Sequence, residues 1–465
     1  MMSAPLLFIV IPLLLAVVLF LFQDRKVAVA RTASLVSLFL ALIAFIQPIG
    51  GNLNLGFTVI RFESSLTVLG RGFFLQDGDR FILAIIFLAA AFWFWGSISA
   101  QAPKMFVPVG LAITAIMVGA LAVEPFLYAG VLLELTAILT IPMLLTRDRT
   151  AGPGILRFFM FQAIALPPIL LAGWILDGSQ ASVANEIQLL QASILLGLGF
   201  AFWLAVFPFY PWVPLVMKES HPYTSGFILC MQSLGIVVII IDYLNGFIWL
   251  RDSVALYSIL RAVGTVMVVT GGVWAAFQQD ARRLFGYIVI IENGIALVAI
   301  SLQDGSALKS LYYSFIPHVL ALAIFALSLS VMMKEYPDTQ YETLKGVLKR
   351  KPFAAGAMLV ALFSLLGFPL LASFPSRMVL FEQLAPVSVQ SIIWLLIGIG
   401  GLYLASARLL SAVFGDSPVR WTISEKPGEM ALFTLGVLAL VILGLFPQII
   451  VSQLSQLLSM IPFLN

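Results

Sequence analysis

The stretch Leu195-Leu-Gly-Leu-Gly-Phe-Ala-Phe-Trp-Leu-Ala-Val-Phe-Pro-Phe-Tyr-Pro-Trp-Val-Pro-Leu-Val-Met217 begins as an apolar membrane helix and then sets Pro208, Pro211 and Pro214 within seven residues. A proline inside a helix removes a backbone hydrogen bond and clashes with the preceding turn, so no continuous helical ladder passes through this stretch. In lipid, carbonyls and amides freed this way survive only where protein or a wet cavity covers them. A helix broken at membrane depth therefore points to a transport site more than to a plain anchor. A second interrupted segment, Gly367-Phe-Pro-Leu-Leu-Ala-Ser-Phe-Pro-Ser-Arg377, carries Pro369 and Pro375 far downstream. Two such segments in two halves of one chain are the sequence sign of an inverted-repeat transporter fold.

Composition agrees with that reading. The chain is 61% hydrophobic and 10% charged, with a mean hydropathy of +1.07 over 465 residues, which makes it an all-α polytopic membrane protein. The single cysteine, Cys230, lies in an apolar run, so neither a disulfide framework nor a cysteine-based metal site is expected. The first apolar run has no basic region before it and no small-residue cleavage pattern, and it reads as a retained span. The net charge of +3 carries no information about partners, and nothing resembles a nucleic-acid surface.

Apolar runs of spanning length fall at roughly 4–22, 28–47, 80–99, 106–123, 125–145, 155–176, 189–213, 225–248, 255–278, 284–302, 308–333, 352–380, 387–414 and 430–450, about fourteen in all. Between the second and third, the alternating, β-branched stretch from Asn52 to Glu63 predicts a short extramembrane β-hairpin near 51–65. Alternate loops then test the count. Those after odd-numbered spans hold 17 of the 25 Lys and Arg residues, from Arg25, Lys26 and Arg31 to Arg420 and Lys426. By the positive-inside rule this asymmetry supports the count and places both termini outside. The most polar segment, Lys334 to Lys351, reads as a solvated cytoplasmic connector near anionic head groups.

Ionisable groups inside hydrocarbon are costly and are functional candidates by default. Within the spans these are Glu134, Asp242, Glu292, His318, Arg377 and Arg408, with Glu124 and Glu382 near span ends. Glu134 sits mid-span with no basic residue at helical spacing, so its carboxyl can take up and release a proton, or serve as a neutral hydrogen-bonded structural acid. His318 is the histidine at membrane depth, a natural proton carrier or a satisfied core group. Arg377 follows the second break; it can fix a carboxylate but cannot relay a proton. Glu292, beside Asn293-Gly294, reads equally as relay or structure, and Arg408 and Asp242 read as snorkelling or subunit-facing groups. Two histidines and one cysteine cannot assemble a metal cluster, a haem pair or a Ser/His/Asp group, and no phosphate loop is present, so neither a cofactor nor a metal is expected.

At Phe207-Pro-Phe-Tyr-Pro-Trp-Val-Pro214 the chain resembles the Pro-Phe-His-x-Trp-Leu-Pro signature of the antiporter-like membrane subunits of respiratory complex I (NADH:quinone oxidoreductase). That family is shared with Mrp cation/proton antiporters and membrane-bound hydrogenases. Ala275-Ala-Phe-Gln-Gln-Asp-Ala-Arg-Arg-Leu-Phe-Gly-Tyr287 resembles its Gln-x-Asp-x-Lys-Arg-x-Leu-Ala-Tyr. Leu366-Gly-Phe-Pro369, Ser373-Phe-Pro-Ser-Arg377 and Gly444-Leu-Phe-Pro447 are similar to its Leu-x-Gly-x-Pro, Gly-Phe-x-x-Lys and Gly-Leu-x-Pro. The resemblance implies fourteen helices with two inverted five-helix repeats, each with one broken helix. On that basis a single membrane domain over 1–465 divides into N-terminal helices and hairpin (4–99), a first repeat (106–248), a second repeat (255–414) and a C-terminal helix (430–465). It also implies a buried polar axis that moves protons or sodium ions, in which Glu134 and His318 match the family's Glu and His.

The departures concern the family's lysines. Trp203 stands at the seventh-span Lys, Tyr210 at the signature His, Leu322 at the eleventh-span Lys and Arg377 at the twelfth-span Lys; the eighth span offers only Gln232 and Ser233. Two readings follow. One is a non-redox, ion-translocating subunit of a respiratory complex in a bacterial or archaeal inner membrane, partnered by other membrane subunits and using Glu134, His318, Tyr210, Glu292 and Arg377. The other is a scaffold subunit that conducts little; a stand-alone antiporter is the weakest alternative.

Overall fold

The computed structural model describes residues 2–54, 59–68, 70–145, 151–179, 186–336, 338–415, 420–449 and 451. Arg147, Arg149 and the expected C-terminal stretch from 452 onward lie outside the described residues. Among the described residues ten helices are long and apolar enough to cross a membrane, and four further apolar helices are shorter. In chain order the helices are α1 (Leu6–Leu21), α2 (Lys26–Ile46), α3 (Arg80–Ala100), α4 (Phe106–Ala122), α5 (Tyr128–Leu144), α6 (Pro153–Ser179), α7 (Glu186–Trp203) and α8 (Trp212–Glu219). They continue with α9 (Pro222–Gly246), α10 (Val254–Ala276), α11 (Ala281–Ile300), α12 (Gly305–Met332), α13 (Pro352–Leu365), α14 (Phe374–Leu384), α15 (Val389–Phe414) and α16 (Pro427–Leu445).

Both expected interruptions are present. Between α7 and α8 the gap contains Pro208 and Pro211, whereas Pro214 sits in the first turn of α8, where a missing N–H leaves no bond broken. Between α13 and α14 the gap contains Pro369, and Pro375 again lies in a first turn. Ala205 (φ 55°) and Leu370 (φ 72°) adopt the left-handed backbone that L residues disfavour, one in each gap. Gly367 (φ 74°) is needed twice over, since a Cβ there would stand 2.7 Å from Arg377 Cγ. Pro167 and Pro168 in α6 and Pro317 in α12, by contrast, leave their helices continuous.

The hairpin expected near 51–65 exists as β2 (Asn52–Asn54) against β3 (Val59–Glu63), with β1 (Met2–Ser3) added in parallel on its other side. A second sheet was not expected. In it β4 (Ser65–Val68) and β5 (Arg71–Phe74) form a hairpin that pairs with β6 (Val123–Glu124), the first two residues of the connection between α4 and α5.

The interior is built from α3, α9, α11 and α12, whose apolar windows are mostly buried, while α6, α7, α10, α15 and α16 keep apolar faces outward. Such outward faces suit lipid or other membrane subunits. Charged groups at helix ends fix the frame. Buried Arg80 donates from Nε to Ala44 O (3.0 Å) and from Nη2 to Phe45 O (2.7 Å), satisfying the last carbonyls of α2. Glu219 accepts from Gly154 N and Ile155 N (2.9 and 3.0 Å) at the start of α6, and Glu425 from Phe353 N and Ala354 N (3.1 and 2.6 Å) at the start of α13.

One expectation needs correction. The segment from Lys334 to Lys351 is not simply a solvated connector: Tyr341, Leu344, Val347 and Lys351 are buried, and Lys351 Nζ pairs with Glu335 at 3.1 Å. Thr339 and Tyr341 are hydrogen-bonded to the turn before α11, which turns the loop inward. His221, which drew no attention in the sequence, caps α9 with its Nδ1 buried and unpartnered.

Burial holds the His221 imidazole down to about 4; nearby Lys26 reinforces this and the Ala100 backbone opposes it. The unfolded chain takes up that proton near the ordinary value of about 6.5. The stability His221 contributes is therefore complete above about pH 6.5 and is lost as pH falls toward about 4, by up to ~3 kcal/mol. Thermal unfolding in detergent between these pH values should show this loss, and His221→Gln should flatten it.

Candidate functional site

Helix α11 begins at the Asp280 cap, whose Oδ1 accepts from Arg282 N at 3.0 Å. Its buried course then carries Glu292 and Asn293 into the centre of the bundle. There Glu292 Oε1 accepts a short hydrogen bond from Arg377 Nη2 of α14, and Glu292 Oε2 lies 3.3 Å from His318 Nδ1 of α12. The three side chains are between 9% and 13% exposed, so the ion pair is largely shut off from solvent. Isolated charges at such a depth are prohibitively costly, and breaking a buried pair costs more than forming it gains. Arg377 is permanently charged, so any proton exchange within the triad falls to Glu292 and His318.

Arg377 of the triad and Asn293 beside it each hold one helix break. Arg377 Nη2 donates to Leu365 O (3.3 Å), the last carbonyl of α13, and Asn293 Nδ2 donates to Leu204 O (3.3 Å), just past the end of α7. Two carbonyls freed by the interruptions are thus satisfied by residues on or beside the ion pair. A cavity of about 50 Å³ adjoins the triad, lined by Ser233, Glu292, Ser310, Ser314, His318 and Arg377 among others. Polar side chains form part of an otherwise apolar wall, and the space is large enough for a few waters. Ser310 Oγ donates to Ser376 O (3.1 Å), tying α12 to α14 beside it.

Glu134 and Tyr210 do not line this cavity. Glu134 lies on α5, its Oε2 buried without a hydrogen-bond partner, and Gln162 Nε2 on α6 and Trp203 Nε1 on α7 are buried and unpartnered as well. Gly130, one turn before Glu134, faces Leu166, Ile169 and Trp203, and Phe161 stacks on Phe202 at 5.8 Å. In antiparallel neighbours this puts Glu134, Gln162 and Trp203 at one level of three packed helices. Trp203 is 3% exposed and occupies its space with an indole that cannot titrate. Tyr210, in the first gap, lies against Phe207 and Tyr287, with ring centroids 6.1 and 6.4 Å away. Leu322 is fully buried in α12.

Asp242 and Glu124 line a separate cavity of about 370 Å³ with Asp79 and Tyr312, so Asp242 faces an internal space and not lipid. Arg408 is exposed and donates to Ala276 O, and Glu382 is exposed on α14. Asn293 and Gln162 are the residues sequence reasoning passed over. The available signal was the same for both: an amide in the middle of an apolar span. Among the described residues no group of His, Cys, Asp and Glu is arranged to hold a metal.

Comparison with known proteins agrees with this geometry. Residues 175–402 match the family described as NADH:quinone oxidoreductase/Mrp antiporter, TM. NADH-quinone oxidoreductase subunit N of Acidithiobacillus ferrooxidans is 27% identical over 275 residues, 57% of this chain and 56% of the relative. The corresponding subunit of Nitrosomonas europaea is 25% identical over 70% of this chain and 71% of its own length. The matched part therefore spans little more than half of the first relative. In fold, the chain is similar to one from Thermus thermophilus respiratory complex I (TM-score 0.80, 19% identity, 99% of each chain). It is likewise similar to chains of the Dietzia Mrp complex (0.80, 15%, 99% of this chain and 98% of that one) and of an archaeal membrane-bound sulfane sulfur reductase (0.82, 17%, 98% and 97%). Over residues 175–402 in sequence and over nearly the whole chain in fold, the protein is similar to the antiporter-like membrane subunits of the complex I and Mrp family.

Proposed function

We propose that this chain is a non-redox membrane subunit of a proton- or sodium-translocating respiratory complex of the NADH:quinone oxidoreductase type. Its ion path follows a buried polar axis from Glu134, past the α7 break, to the Glu292–His318–Arg377 triad. The observation that carries this reading is the Glu292–Asn293 pair, which bonds to the residues at both helix breaks and so joins the two halves of the axis. The unpartnered atoms of Glu134, Gln162 and Trp203 support hydration of the first half, since leaving each of them dry costs about 1–3 kcal/mol. Tyr210 stands beside the first break and not in the triad, and its part in the path is to line the gap.

The same reading takes the helices as fourteen spans, with α7–α8 and α13–α14 each counting as one. It places an inverted repeat over 106–248 and another over 255–414, flanked by 4–99 and 430–465. Both termini lie outside, in a bacterial or archaeal inner membrane, and the outward apolar faces meet lipid and neighbouring membrane subunits.

In the reconstituted complex Glu134→Gln is expected to reduce ions moved per turnover at least tenfold while electron transfer persists. Unchanged stoichiometry would overturn the assignment of Glu134. The scaffold reading draws on one specific observation, the buried Trp203 where a titratable group would complete a pair with Glu134. It predicts that Glu134→Gln is silent and that deleting the chain dismantles the complex.

A further inference from the structure

Away from the polar axis, a second polar cavity of about 290 Å³ lies where α10 ends, lined by Gln279, Gln340, Tyr341, Lys345, Arg408 and Ser411, with Glu342 at its edge. Its walls are held in place. Tyr341 N donates to Gln279 O (2.8 Å), Ala281 N to Thr339 O (3.0 Å) and Thr339 Oγ to Asp280 Oδ1 (2.6 Å), which pins the loop to the turn before α11. Arg408 of α15 donates to the carbonyl of Ala276, the last residue of α10, so its guanidinium is fixed at the cavity and not free to wander. Lys345 pairs with Glu342 at 2.6 Å on the exposed side, and its stem runs beside Gly415. Tyr341 is 8% exposed, and its hydroxyl has no hydrogen-bond partner. Burial pushes that phenol up and the neighbouring Arg408 charge pulls it down.

Two cations against one carboxylate, together with amide and hydroxyl donors, suit an anion rich in acceptor oxygens. The surroundings specify more. Trp274, Phe277, Leu404 and Phe414 stand exposed on α10 and α15 and at their ends, an apolar surface with the aromatic content of a membrane interface. Lys345 in its wall is followed on the same loop by Lys349 and Arg350, the latter shared with Glu335, while Lys351 is buried. An anionic leaflet is attracted to such cations.

We propose that this cavity binds the phosphodiester head group of an anionic phospholipid. Arg408 and Lys345 hold the phosphate oxygens, Gln279, Gln340 and Ser411 meet the head-group hydroxyls, and the acyl chains lie along α10 and α15. The inference stands apart from the ion path and does not need it.

The test uses the protein purified in mild detergent with its co-purifying subunits, stripped of lipid and titrated with phosphatidylglycerol or phosphatidylcholine under native mass spectrometry. Phosphatidylglycerol should be retained at least tenfold better. Arg408→Gln with Lys345→Gln should bring retention down to the phosphatidylcholine level. Lys345→Gln alone, at an exposed position, should weaken it at least threefold, which keeps the test valid if the Arg408 variant fails to fold. Competition by millimolar inorganic phosphate would assign the same phosphate site to a free anion, and no competition assigns it to lipid. Equal retention of the two lipids, or retention unaffected by loss of the charges, overturns the proposal. So does a complex that takes up no phosphatidylglycerol because a neighbouring subunit's acid already covers the site.

Discussion

Arg377→Ala is expected to destabilise the protein by about 3–5 kcal/mol, because it leaves the Glu292 carboxylate buried without its cation. The same change frees the Leu365 carbonyl at the second helix break, adding an unmet acceptor at membrane depth. Thermal unfolding in detergent, read together with the amount of chain retained in its complex, measures the loss. The double variant Glu292→Gln with Arg377→Gln removes both charges, and its amides can still bond to one another, so it should recover more than half of the deficit. If the single and double variants are equally unstable, the ion pair is not what the Arg377 side chain contributes. Arg377→Lys keeps the charge but not the fork that reaches both Glu292 and Leu365, and should fall between the two.

Gly272→Ala is expected to be comparably severe, at about 3 kcal/mol or more, for an entirely steric reason. A Cβ at Gly272 would stand 1.8 Å from Gly398 O, one at Gly398 would stand 2.4 Å from Val268 O, and one at Gly401 2.4 Å from Gly272 O. The backbones of α10 and α15 are in direct contact there, and no flexible side chain can move aside. Small residues allow such approaches between membrane helices, where apolar burial gives no driving force of its own. Gly197→Ala and Gly356→Ala provide the contrast. Neither position has any atom within 4 Å of the added methyl group, and both lie inside helices. These variants should be neutral or more stable by about 0.5–1 kcal/mol. Similar losses at Gly272 and Gly197 would show that helix propensity, and not the close crossing, governs both.

The two helix breaks were legible because proline acts locally: Pro208, Pro211 and Pro369 have their effect whatever the fold around them. The resumption of α8 and α14 at Trp212 and Phe374 was less legible, since Pro214 and Pro375 are breakers in mid-helix and harmless in a first turn. Glu292, His318 and Arg377 could each be picked out as costly charges, but their meeting depends on the packing of α11, α12 and α14, which spacing within one helix does not encode. Asn293 was overlooked because a neutral amide lowers hydropathy only slightly, although its role depends on a carbonyl 89 residues away. The inward turn of the 334–351 segment was illegible for a related reason. Its polar residues bond to Gln279 and Asp280 in another loop, and composition cannot distinguish that from bonding to water.

Glu292 and Asn293 are consecutive on α11, so their side chains leave the helix about 100° apart. One is fastened to Arg377 after the second gap and the other to Leu204 in the first. The helix thus works as a torsion bar clamped at two bearings. Rotation about its own axis moves both hydrogen bonds together, so the two gaps share one support.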